Sequence, residues 1–63
     1  MSVLAVLEKV NDKDVEKVVM NYDGCIVNFE SLDDFENEIY KCGLDEDEVK
    51  SFKVRKGQLS IVI

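Results

Sequence analysis

The segment VVMNYDGCIVNF, residues 18 to 29, has the fewest conformational options in this 63-residue chain. Asp23 and Gly24 supply the two positive-φ residues that a type I′ turn requires, and strand-forming residues flank them, so the segment predicts a tight β-hairpin. A two-residue loop pairs Tyr22 with Cys25, and the register follows outward: Met20 with Val27, Val18 with Phe29, Lys17 with Glu30. One face then carries Val18, Met20, Tyr22, Cys25, Val27 and Phe29. The other carries Lys17, Val19, Asn21, Ile26, Asn28 and Glu30.

SFKVRKGQLSIVI, at residues 51 to 63, repeats the pattern around Lys56 and Gly57. Val54 pairs with Leu59 and Phe52 with Ile61, which leaves Lys53, Arg55, Gln58 and Ser60 on a polar face. Between the hairpins, Ser31 can cap a helix by accepting from the Asp34 amide, and Gly43 can close it in the left-handed conformation, so a helix is expected over about 32–42. Its apolar residues Leu32, Phe35, Ile39 and Cys42 recur at spacings of three, four and three and form one stripe. Asp33, Asp34, Asn37, Glu38 and Lys41 face water, with Glu36 and Tyr40 on a flank. Asp45 as a cap and Glu48 at its third position, bracketed by Leu44 and Val49, predict one further helical turn. Ser2 to Val10 is apolar on both sides and reads as a central strand, although periodicity alone does not separate it from a short helix.

The order strand, hairpin, helix, hairpin predicts a single compact α+β domain over 1–63, with a mainly antiparallel sheet of about five strands and one helix on one face. A chain this short buries only about 60% of its extended surface, so extra support from a disulfide framework, a metal or a partner chain is to be sought. Cys25 and Cys42 are too few for a disulfide framework and read as two free, buried thiols in a reducing cytoplasm. With no His, no CxxC and no calcium loop, neither a metal nor a cofactor is expected. The N-terminal apolar run is far short of the roughly 18 residues that span a membrane and lacks a basic segment before it, so no membrane association is expected. A homodimer is the remaining support, because one helix leaves Val19, Ile26 and one side of the first strand uncovered.

Charge is segregated along the chain. Residues 30 to 48 hold nine carboxylates against Lys41 alone, whereas residues 49 to 63 hold Lys50, Lys53, Arg55 and Lys56 and no acid. No nucleophile has a partner at readable spacing and the commonest general base is missing, so no catalytic role is expected. The net charge of -6 opposes direct nucleic-acid binding at long range. Helix N-terminal acids favoured by the macrodipole, together with solubilisation, account for Asp33, Asp34, Asp45, Glu46 and Asp47. They account less well for Glu36 and Glu38, since Asp34 and Glu38 repel at i and i+4. The functional expectation is an acidic surface that imitates a nucleic-acid backbone and occupies the basic cleft of a nucleic-acid-binding protein, with Glu30, Asp33, Asp34, Phe35, Glu36, Glu38, Tyr40, Asp45, Glu46, Asp47 and Glu48 as candidate contacts. The alternative is a homo-oligomeric structural or adaptor protein whose acids only solubilise it.

The hairpin turned by Asp23 and Gly24, then Ser31, Leu32, Asp34, Phe35 and Glu36 opening a helix, Tyr40 one turn later and DEVK leading into a strand together resemble the short phage-encoded uracil-DNA glycosylase inhibitors. Those are small, acidic, dimeric DNA mimics. The resemblance covers roughly residues 15 to 54. It implies a phage inhibitor acting in the host cytoplasm, with Phe35 as an aromatic anchor, Glu36 and Tyr40 as supporting contacts and Glu30 as an acid at the hairpin end. Two features depart from that pattern. Tyr40 lies one residue further from Phe35, a rotation of about 100° on a helix, and the terminal hairpin is additional. The helical stripe also places Phe35 in the core.

Overall fold

The computed structural model describes all of residues 1–63. The chain runs α1 (Val3–Lys9), a 3-10 turn (Asp12–Asp14), β1 (Lys17–Tyr22), β2 (Cys25–Phe29), α2 (Leu32–Cys42), β3 (Ser51–Arg55) and β4 (Gln58–Val62). Both hairpins form in the expected register, from Tyr22 opposite Cys25 out to Val18 opposite Phe29, and from Arg55 opposite Gln58 out to Ser51 opposite Val62. Their turns place Asp23 at φ 49°, Gly24 at 84°, Lys56 at 52° and Gly57 at 77°.

The fold is α+β, but the sheet has four strands in the order β2-β1-β4-β3. It is mixed: two of its three pairings are antiparallel, but β1 and β4 run parallel at its centre, with Lys17 opposite Gln58 and Asn21 opposite Val62. A parallel pair needs a crossover, and the β2-α2-β3 connection provides it.

The missing fifth strand is the N-terminal run, which is helical. Val3, Val6, Leu7 and Val10 recur at i, i+3, i+4 and i+7, and the first two are fully buried. Ser2 caps α1 by accepting from the Ala5 amide at 3.2 Å. Two more orphan amides of its first turn donate to the loop after α2: Val3 to the Asp47 carbonyl at 3.1 Å, and Leu4 to the Asp45 carbonyl at 3.0 Å. This arrangement also corrects the short helix expected at Asp45–Glu48. The segment is a turn closed by the Asp47 amide on the Leu44 carbonyl, and its Asp45 and Asp47 carbonyls cap α1.

α2 has the expected ends. Ser31 Oγ accepts from the Asp34 amide at 3.1 Å. Gly43, at φ 72°, donates to Tyr40 while Leu44 donates to Ile39, the paired bonds of a Schellman motif. Leu32, Phe35 and Ile39 are buried with Val3, Val6, Val15, Val18, Met20, Val49, Leu59 and Ile61 in one core on the helical side of the sheet. Both helices therefore cover the same face. The other face of the sheet is open.

Two surfaces of opposite charge as the candidate functional site

The outward side of α2 presents Asp33, Asp34, Glu38 and Tyr40 to solvent, with Glu36 half-buried on the flank. Asp45, Glu46, Asp47 and Glu48 form a second acidic group beside the first turn of α1, held there by the backbone bonds just described. No hydrogen bond or ion pair links the side chains of the two groups. Glu48 accepts from the Met1 amine at 2.6 Å, the only ion pair in the structure, so none of the other carboxylates is paired with a cation. Glu30 stands apart in the bend between β2 and α2, one residue past the Val18–Phe29 pair.

Phe35 does not belong to this surface. It is completely buried and meets Phe29 edge-to-face, with ring centroids 5.3 Å apart. The helical stripe and the family resemblance make opposite demands on this side chain, and packing satisfies the stripe. Tyr40, 54% exposed, is the aromatic residue on the acidic side of α2.

Both cysteines are free, as expected, but exposed rather than buried. Cys25 lies next to the hairpin turn, where the helical layer no longer covers the strands. Cys42 ends α2, and its thiol donates to Glu38 Oε1 at 3.5 Å. That bond raises the Cys42 pKa, helped by partial desolvation and the Glu38 charge and opposed by Lys41. A thiol held protonated is the reverse of an activated nucleophile. Glu38→Gln is expected to speed alkylation of Cys42 near neutral pH and leave Cys25 unchanged, with the gain vanishing at a pH where both thiols are fully ionised. Mass-spectrometric rates for each cysteine check this; equal Cys42 rates in parent and variant would remove Glu38 as the cause.

The open face is built from three rows across the strands. Lys17, Gln58 and Arg55 align in the first, Asn28, Val19, Ser60 and Lys53 in the second, and Ile26, Asn21, Val62 and Ser51 in the third. Val19 and Ile26 lie there as expected, joined by Val62, but the apolar side of a first strand expected beside them is absent because that segment is α1. At one end, Lys17, Lys53, Arg55, Lys56, Gln58 and Ser60 line a shallow concavity of about 450 Å³. None of its four cations forms an ion pair. Sequence reasoning placed Lys53 and Arg55 on the wet side of the second hairpin and Lys56 in its turn but did not join Lys17 to them, because only the parallel β1–β4 pairing brings it alongside.

The chain matches no protein-family model, no characterised protein and no solved structure with which it was compared.

Proposed function

We propose that this protein is a small non-catalytic binding protein, of phage or mobile-element type, whose acidic helical side occupies the basic cleft of a nucleic-acid-processing or defence enzyme by imitating DNA. The observation that carries this reading is the separation of charge across the fold: α2 presents unpaired carboxylates on one side, and the cations gather on the opposite side of the sheet. Carboxylates on successive helical turns lie roughly 5–6 Å apart at Cβ, against about 3.4 Å of axis per phosphate along one DNA strand, a spacing that side-chain freedom can bridge. Tyr40 is the exposed aromatic residue suited to anchor such a contact.

The test is affinity capture from bacterial lysate at low and high salt, with duplex DNA as competitor. Captured protein is expected to be released by DNA and by salt. Asp33→Asn, Asp34→Asn and Glu38→Gln combined should fold normally, because these positions are exposed, yet bind more weakly and with less salt dependence. Tyr40→Ala should cost roughly 2 kcal/mol of binding with little change in salt dependence. A triple variant that holds every captured protein as tightly as the parent at low salt would reduce the acids to a solubilising face.

The second reading, a homo-oligomeric structural or adaptor protein, draws on the open face, where Ile26 is 60% exposed. A two-fold dimer stacked there with its axis along the strands would set the cations of one copy near those of its partner, and like charges oppose that arrangement. A dimer is compatible with both readings, so sedimentation decides only in combination: a stable dimer at micromolar concentration together with no DNA-released protein in the capture supports the second.

A further inference from the structure

We infer that the cationic end of the open sheet face binds a compact anion carrying two or more phosphate groups, such as an inorganic polyphosphate or the phosphate tail of a nucleotide. This inference is independent of the acidic side and stands or falls on the sheet alone.

Four unpaired cations converge on one depression in a chain whose net charge is -6. The spacing of the cluster follows from the sheet. Lys53 and Arg55 are two residues apart on β3, roughly 7 Å, and Arg55 and Lys17 are two strand spacings apart, roughly 10 Å. One phosphate cannot reach all of them. A chain of linked phosphates can, and the cations stop short of the Ile26–Ser51 row, so an extended strand of nucleic acid would leave them after a few charges. The depression falls within the roughly 300–1,000 Å³ of small-molecule sites but is lined by no apolar side chain. It is therefore suited to recognise phosphate rather than a base or ring.

The parts are held in place. The Gly57 carbonyl accepts from the Glu16 amide at 2.6 Å and the Lys17 amide at 3.2 Å, tying the start of β1 to the turn that carries Lys56. Lys56 sits at φ 52°, where Asn, Asp or Gly fit with less strain; the other hairpin uses Asp23 there. Ser60 Oγ accepts from Gln58 Nε2 at 3.1 Å, which leaves the Ser60 hydroxyl hydrogen free to donate to a bound oxygen. Arg55 adds a planar fork suited to two phosphate oxygens.

The net charge does not forbid this. Even the shortest principal extent of the molecule, 19 Å, exceeds two Debye lengths of about 8 Å at physiological salt, so the acids beyond the helical layer are largely screened at the open face. The nearby acids are Glu16, whose carboxylate packs against Gly57, and Glu30, near the Lys17 end. Neither pairs with a cation.

Calorimetric titration of the full chain with sodium tripolyphosphate tests the site. Saturable one-to-one binding that weakens with salt is expected. Lys17→Gln with Arg55→Gln should weaken it at least about tenfold, since two charge-assisted contacts are lost. Lys9→Gln with Lys41→Gln changes the net charge equally and should bind like the parent. Lys53→Gln gives a second test at an exposed position should the first pair fail to fold, and Glu16→Gln should tighten binding. ATP without magnesium should match tripolyphosphate, and adenosine should not bind. The inference is overturned by absence of saturable binding, by equal losses in the two double variants, by binding of adenosine alone, or by binding of an oligothymidylate where tripolyphosphate fails.

Discussion

Replacing Phe35 with alanine is expected to destabilise the fold by roughly 3–5 kcal/mol, the cost of removing a fully buried phenylalanine from a core that cannot close over the space. The ring is 0% exposed and loses its edge-to-face partner Phe29 in the same change. A single core in a domain this small supplies about 3–5 kcal/mol in all. The variant should therefore lose its cooperative thermal transition. Tyr40→Ala on the same helix should melt close to the parent, since that ring is 54% exposed. Circular dichroism melts of the two variants separate structural from partner-facing aromatics. If Phe35→Ala melted like the parent, the ring would be an exposed anchor and the core described above would be wrong.

The residues that sequence placed correctly are those whose signals are local. Asp23 and Gly24 set a turn, the turn sets a register, and the register sorts the ten paired side chains of the hairpin without any tertiary contact. Ser31 and Gly43 likewise mark the ends of α2 by chemistry that acts within one turn. The acids on α2 were legible for the same reason, being read from a helix already bounded. What remained hidden depends on partners distant in sequence. The Asp45–Glu48 segment carries a local helix signature, but its carbonyls are taken by Val3 and Leu4, more than forty residues earlier. Cys25 and Cys42 lie on the apolar faces of their elements yet are exposed, each next to the end of its element, where a periodic pattern does not tell how far the opposite layer extends. Lys17 joins Arg55 only through Gln58, across a parallel pairing that no nearby residue announces. The acidic surface was thus visible in the sequence, and the cationic one only in the part that the second hairpin carries.

The N-terminal run shows how a short helix is mistaken for a strand, and it also carries the second large expected effect. Leu4 and Ala5 fill the gap between Val3 and Val6, so the apolar pattern looks continuous and its 3.6-residue period is obscured. In the structure Val3 and Val6 point into the core at 0% exposure, while Glu8 and Lys9 are exposed. Val6→Asp should cost more than about 3 kcal/mol near neutral pH, because it loses a buried valine and must leave a carboxyl without a partner in an apolar core. Burial raises the pKa of such a carboxyl above its unfolded value, so above that unfolded value the folded state binds more protons than the unfolded state. The stability lost relative to the parent should therefore grow as the pH rises above about 4 and shrink below it. Glu8→Ala, two residues on and so about 200° round the helix on the wet side, should change stability little at either pH. Urea unfolding of both variants at two pH values provides the comparison. Equal, pH-independent losses at the two positions would mean that α1 does not pack through Val6, and the first turn capped by Asp45 and Asp47 would lose its role in closing the core.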